Sequence, residues 1–240
     1  MKIAFLCCIH GNLPALEAVG KDLDAIQPDK VYCLGDVVNY GAQSRECVAY
    51  VRERNWPTLK GNHEAAVIDP SLAEEFTPRA KLCLYYTLGN LGKSEREWFK
   101  TLPESIEEAD FQVVHGSPAG VMWQQYILNN EHAEQAFAAA RRPWVFNGHT
   151  HVPMAFFNTT PLSYSKDARW KLERKIPALL NVGSVGQPRD KNPRSCYALF
   201  DTDTLEVQLR RIEYDIERAA ALIMEAGLPK FIAERLKVGG

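Results

Sequence analysis

The chain lacks long hydrophobic runs, a strong charge of either sign and paired cysteine spacings, and each absence removes a class of function. No stretch approaches the roughly 20 apolar residues that a spanning helix needs, and the apolar run after Lys2 is too short for the usual layout of a signal peptide. A soluble, cytoplasmic protein without a membrane partner is the expectation. A formal net charge of -2 and a pI near 6.3 give no global attraction to nucleic acid or to an anionic surface, so any anion recognition must be local. Six cysteines, Cys7, Cys8, Cys33, Cys47, Cys83 and Cys196, include no C-x-x-C pair of a zinc knuckle or thioredoxin site. All but Cys8 read as buried thiols within apolar runs. Internal repeats, low-complexity tracts and interdomain linkers are also missing. What is present is 240 residues with 46% hydrophobic content, enough for one well-buried core. A single domain over residues 1–240 is expected.

The chain is organised around Cys8-Ile9-His10-Gly11-Asn12, where an apolar opening run gives way to a helical pattern. Residues 2–9 are apolar on both alternating faces, as in a central parallel strand covered by helices on both sides. In such a strand Cys8 and His10 share a face and Cys7 points the other way. Asn12 can cap, and Pro14 can open, a helix with apolar positions at Leu16, Val19, Leu23 and Ile26, closed by Pro28.

A second strand-helix unit follows, with Lys30 to Leu34 leading into Gly35-Asp36 and Ser44 to Arg54 helical. A short strand at Pro57 to Lys60 then runs into Gly61-Asn62-His63-Glu64. Residues 65–102 form an expected helical insertion, with a cap at Thr77-Pro78 and a capping box at Ser94 to Glu97. Strands at Phe111 to Val114 and Trp144 to Asn147 deliver His115-Gly116 and Gly148-His149-Thr150-His151, with a helix at Glu131 to Arg141 between them. After Val152 the pattern turns to antiparallel strands forming a mixed second sheet. A helical extension over about 214–237 ends the chain.

Of six histidines, His10, His63, His115, His149 and His151 all fall at or just after expected strand ends, leaving His132 elsewhere. Any one of them alone reads as a satisfied structural residue. With Asp36 and Asn62 the set points to metal binding, because strand-end loops are fixed by the sheet yet free of ladder hydrogen bonds. If the runs are neighbouring strands of one sheet, their polar ends converge on one rim.

The ordered blocks Ile9-His10-Gly11-Asn12, Gly35-Asp36, Gly61-Asn62-His63-Glu64, Val114-His115-Gly116 and Gly148-His149-Thr150-His151 resemble the signature of the calcineurin-like metallophosphoesterase superfamily. Gly35 to Gly41 and Asn181 to Asp190 resemble, more narrowly, its small bacterial and archaeal phosphodiesterase branch. The resemblance implies an α/β fold, a four-layer α/β/β/α sandwich of two mixed sheets flanked by helices, and a binuclear centre. The first metal would take Cys8, His10, Asp36 and His151; the second would take Asp36, Asn62, His115 and His149. Asp36 would bridge, one oxygen to each ion, and serve catalysis. Two cations about 3.5 to 4 Å apart lower the pKa of a bridging water and clamp phosphoryl oxygens, so a bridging hydroxide would attack the ester. His63 would stabilise developing charge and assist the leaving oxygen, work suited to a group titrating near neutrality. Glu64 either tunes His63 or is a solvated helix-start carboxylate.

Asn12 is a candidate substrate contact whose capping role is the favoured reading, and Arg189 is a candidate phosphate contact beside a tight turn. Trp123 and Tyr126 are candidates for a cleft wall, though aromatics at helical spacing more often belong to a core. The resemblance departs at Cys8, where the family carries aspartate. A thiolate keeps the charge, has a metal bond of about 2.3 Å and favours zinc or iron over manganese. The implied function is a metal-dependent phosphoesterase, most readily a phosphodiesterase of small or nucleotide-like substrates. One rival is a non-catalytic scaffold of the same fold, which a protonated Cys8 and an empty first site would favour. A second rival, a protein phosphatase or dinucleoside-polyphosphate hydrolase, ranks lower because Asn39-Tyr40-Gly41 stands where those enzymes carry arginine, though Arg45 or Arg189 could reach that space. A homo-oligomer is compatible with the sequence.

Overall fold

The computed structural model describes residues 1–121 and 124–240. Its elements in chain order are β1 (Lys2–Leu6), α1 (Leu13–Ile26), β2 (Lys30–Cys33), α2 (Ser44–Glu53), α3 (Asn62–Ile68), a 3-10 segment (Pro70–Glu75), α4 (Pro78–Asn90), α5 (Lys93–Thr101), β3 (Ser105–Glu107), β4 (Phe111–Val114) and α6 (Asn130–Ala139). Then come β5 (Trp144–Asn147), β6 (Met154–Phe157), β7 (Ser163–Ser165), β8 (Arg169–Lys171), β9 (Ala178–Asn181), β10 (Ser195–Asp201), β11 (Glu206–Ile212), α7 (Ile216–Glu225) and α8 (Lys230–Val238). Among the described residues no helix is long and apolar enough to cross a membrane.

Two mixed sheets face each other, one ordered β2-β1-β10-β11-β8 and the other β3-β4-β5-β9-β6-β7. The strand ends that carry the blocks therefore lie on two sheets, not on one as the sequence implied. β1 and β2 pair in parallel in the first, and β4 and β5 in parallel in the second. The late strands do not form a sheet of their own. β10 pairs antiparallel with β1 and β9 parallel with β5, so the carboxyl-terminal half completes both sheets.

Between the sheets lies an apolar layer of Phe5, Tyr32, Phe111, Trp144, Phe146 and Phe200. Phe5 and Phe146 stack across the gap with centroids 3.8 Å apart; full burial of each ring contributes about 2 to 3 kcal/mol. Helix α1 buries Ala15, Leu16, Val19 and Leu23, and with α2 it covers the outer face of the first sheet through Cys47, Val48 and Val51. α6 covers the second sheet through Ala133 and Ala136. The four layers are thus helix, sheet, sheet, helix.

Local expectations differ in three places. Pro57 to Lys60 forms no strand and makes a single parallel bridge from Thr58 to Cys33. The helix expected to be capped at Ser94 starts at Lys93 after Gly92, without a side-chain cap. The helical region also begins earlier, at Asn62, because Glu64 accepts the N–H of Gly61 at 2.9 Å and so supplies the helix-start bond.

Candidate metal centre

Strand β1 ends at Leu6, and the chain beyond it departs from strand geometry. Cys8 and His10 have φ of 55° and 52°, so the alternation expected to separate Cys7 from Cys8 does not hold. Their sulfurs converge at 3.3 Å. Asp36, Asn39, Tyr40, His149 and His151 also have positive φ, a conformation that costs a non-glycine residue about 1 to 3 kcal/mol. The strain is concentrated in the loops that face the centre, and the packing there fixes it: a Cβ on Gly61 would overlap the Asp36 carboxylate.

Two groups of side chains offer their ligand atoms within 4.8 Å of one another, Cys8, His10, Asp36 and His151 in one and Asp36, His115 and His149 in the other. Backbone carbonyls commit one nitrogen of each imidazole. His10 Nδ1 donates to Val38 O at 3.1 Å and His151 Nδ1 to Gln187 O at 2.6 Å. Each neutral ring then carries its lone pair on Nε2, and the two Nε2 atoms face each other at 3.1 Å. Burial, followed for His10 by the charge on His63 and for His151 by that on Arg189, holds both rings well below the usual histidine range, against the pull of Asp36. Two opposed lone pairs with no proton to share fit a cation between them.

The second group repeats the arrangement. His115 Nδ1 donates to Leu34 O at 2.6 Å and His149 Nε2 to Gln124 O at 3.2 Å, leaving His115 Nε2 3.1 Å from His149 Nδ1. Here a proton is held: burial lowers the His115 pKa, but the charge and hydrogen bond of Asp36 outweigh it and raise it to about 9. A metal at this group must displace that proton. Asn62 Oδ1 is buried without a hydrogen-bond partner, which suits a ligand oxygen.

Asp36 joins the two groups through one oxygen. Its Oδ2 lies 3.1 Å from His115 Nε2 and 3.6 Å from His10 Nε2, while Oδ1 accepts the N–H of His63 at 3.1 Å. The expected division of one oxygen to each ion is not how this carboxylate is disposed. Burial works against its ionisation, yet the imidazoles of His115, His63 and His10 hold it well below the usual carboxylate range.

His63 Nδ1 accepts from Asn39 Nδ2 at 2.6 Å, which leaves the proton on Nε2, 4.0 Å from Asp36 Oδ2. Burial and the charges of His115 and Arg189 lower its pKa to about 4 against Asp36, below the near-neutral titration expected of it. Glu64 is fully buried and so is not a solvated carboxylate; its hydrogen bonds go to backbone rather than to the His63 ring. Its carboxylate gathers the N–H groups of Asp36 at 2.8 Å, Val37 at 2.8 Å, Val38 at 3.3 Å and Gly61 at 2.9 Å. It thereby ties the Asp36 loop to the His63 loop. Burial and the Asp36 charge push it up to about 7, and those N–H groups act in the opposite direction.

Asn12 spends both amide atoms on the fold, accepting from Ala15 N–H at 3.2 Å and donating to Gly186 O at 2.8 Å. Arg45 turns away to Glu95, whereas the Arg189 guanidinium lies 5.9 Å from the Tyr40 ring, which packs on His10 and His63. Tyr126 stacks on His149 at 3.9 Å and, with Asn62, Leu72, Phe76 and His149, lines a cavity of about 110 Å³. Trp123 lies outside the described residues. The sequence reading missed three contributions: Asn39 holding His63, Glu64 organising the loops, and Cys7 lying 3.6 Å from His115 Nδ1. Only Glu64 left a signal, at capping-box spacing from Gly61.

A family model for the calcineurin-like phosphoesterase superfamily domain matches residues 1–205. The chain belongs to that superfamily. It is a metal-dependent phosphoric ester hydrolase, and such metallophosphoesterases normally use a dimetal centre. This phosphoesterase is 36% identical to a metallophosphoesterase from Sphaerobacter thermophilus, with a TM-score of 0.88 over 100% of this chain and 99% of that one. A hypothetical protein from Pyrococcus horikoshii OT3 shares the fold at a TM-score of 0.81 and 22% identity, over 100% and 98% of the two chains. An uncharacterized protein of Methanocaldococcus jannaschii is 31% identical over 241 residues, 99% of this chain and 98% of its own.

Proposed function

We propose that this phosphoesterase hydrolyses small or nucleotide-like phosphodiesters at a binuclear centre. Cys8, His10, Asp36 and His151 would hold one divalent cation; Asp36, Asn62, His115 and His149 would hold the other. The observation that carries the reading is the pair of opposed imidazole couples, 3.1 Å apart in each case, with Asp36 Oδ2 beside both. When bound, two cations supply positive charge to phosphoryl oxygens and an activated water.

The chain's own groups do the rest. The carbonyls of Val38, Gln187, Leu34 and Gln124 fix the tautomer and aim of each imidazole. Asn39 turns His63 so that Nε2–H faces the centre, where it donates to a phosphoryl or leaving oxygen; the negative charge of the ester raises its pKa toward proton transfer. Arg189, beside the Tyr40 ring that packs on His10 and His63, would contact an anionic group of the substrate. Cys8 would supply a soft sulfur ligand, which favours zinc or iron at its site over manganese. Its neighbour Cys7 is raised well above the usual thiol range by burial and by Cys8, and stays protonated. The cavity beside Asn62 and His149 suits a small ester arm.

The test is hydrolysis of bis-p-nitrophenyl phosphate and p-nitrophenyl phosphate by protein loaded with zinc, iron or manganese. The diester is expected to be turned over faster, with His63→Ala about 10² to 10³ slower. No turnover with any metal would favour the scaffold instead, and an active His63→Ala variant equal to wild type would remove His63 from the reaction.

A further inference from the structure

Two guanidinium groups beside the centre lack a counter-charge. Arg189, in the loop between β9 and β10, donates Nη2 to Gln187 Oε1 at 3.0 Å. Arg235, on α8, donates Nη1 to the same oxygen at 3.1 Å. Neither has a carboxylate partner among the described residues, and the Nε of each is buried without an acceptor. A third cation, Arg79 of α4, lies 4.1 Å from the ring of Phe231, and Arg235 lies 5.2 Å from that ring. Burial and the charges of Arg189 and Arg79 draw the Arg235 guanidinium down to about 10.

Each guanidinium offers five N–H donors; one Nη of each meets Gln187 Oε1, and the buried Nε–H of each has no acceptor. Holding like charges together with unmatched donors is unfavourable unless an anion joins them. Gln187 fixes where that anion would sit. Its side-chain oxygen gathers the two arginines, while its backbone oxygen accepts from His151 Nδ1 at 2.6 Å. The paired cations are thus one residue from the first metal group. Two cations held by the ligand groups, with His63, would meet the charge of the scissile phosphate, which leaves the arginines for a second anionic group.

Resting on the phosphoesterase reading above, we infer that Arg235 and Arg189 form a second anion subsite that selects phosphoesters carrying a further phosphoryl group near the scissile one. The carboxyl-terminal helix α8 is then a specificity element, because it alone supplies Arg235.

The test is calorimetric titration of the metal-loaded protein with methylenediphosphonate and with methylphosphonate, neither of which it can hydrolyse at an ester bond. Wild type is expected to bind the diphosphonate at least tenfold more tightly, and Arg235→Gln to lose about ten- to a hundredfold of that preference, as for a charge-assisted hydrogen bond. Arg189→Gln, on a separate element, should do the same, and Arg235→Lys should restore part of it. Equal affinities in wild type, or a preference kept in both glutamine variants, would overturn the inference. Should wild type hydrolyse no ester, the phosphodiesterase reading fails while the titration still decides the subsite.

Discussion

Four buried histidines whose ionisation is suppressed make the metal-free protein sensitive to mild acid. His63 is lowered to about 4 and His149 to about 3, in both cases chiefly by burial, and His10 and His151 lie well below their usual value. Each would take up a proton near pH 6.5 once unfolded. Because the folded pKa is depressed below the unfolded one, the unfolded chain binds more protons in this range, and stability falls as pH falls from 6.5 toward 4. Between pH 6.5 and 5.0 each such histidine accounts for about 1 to 2 kcal/mol, and the four together for about 6. Two groups act the other way. Glu64, pushed up to about 7, and His115, raised to about 9, bind protons more tightly in the folded state and return about 2 kcal/mol over the same interval. The net expectation is a loss of about 4 kcal/mol, a large part of the total stability of an ordinary domain. Urea unfolding of chelator-treated protein, followed by circular dichroism at pH 6.5 and 5.0, measures it. A midpoint that is unchanged or higher at pH 5.0 would refute the placement of these rings as neutral, desolvated ligands.

Two substitutions probe the loops and the first ligand. Glu64→Gln keeps one acceptor oxygen for Asp36 and Gly61 but presents an amide N–H₂ to the N–H groups of Val37 and Val38; at about 1 to 3 kcal/mol for each orphaned donor, metal binding should weaken at least tenfold by calorimetry. Wild-type affinity in that variant would show that the loop does not depend on the carboxylate. Cys8→Asp replaces the soft ligand with a hard one, so manganese-supported diester turnover should rise relative to zinc-supported turnover. An unaltered metal preference would mean that Cys8 does not ligate.

Much of this site was legible because strand ends announce themselves. An apolar run followed by a polar residue beside a glycine put Asp36, His115 and His149 just past the ends of β2, β4 and β5, whereas His10 lies beyond the end of β1 at Leu6. What the sequence could not convey was which sheet each strand joins. β9 and β10 come from distant parts of the chain, and their pairing with β5 and β1 sets two sheets face to face. Periodicity also failed where the backbone turns left-handed: Cys7 and Cys8 were separated by strand alternation, yet φ of 55° at Cys8 brings their sulfurs together. The role of Glu64 depends on the Asp36 loop folding over the start of α3, and that of Arg235 on α8 packing beside the rim. Of these, only the capping-box spacing of Glu64 from Gly61 is a local pattern; the rest is tertiary. Asn12, by contrast, was read correctly as a cap because its partner is three residues away.

Metal content tests the central claim most directly. Purified wild-type protein, dialysed and assayed by inductively coupled plasma mass spectrometry, should carry two divalent ions per chain, with His151→Ala and His149→Ala each retaining one and Asp36→Asn losing both, since Asp36 borders both ligand groups. Wild type with no bound metal, or histidine variants that keep the full wild-type content, would contradict the account.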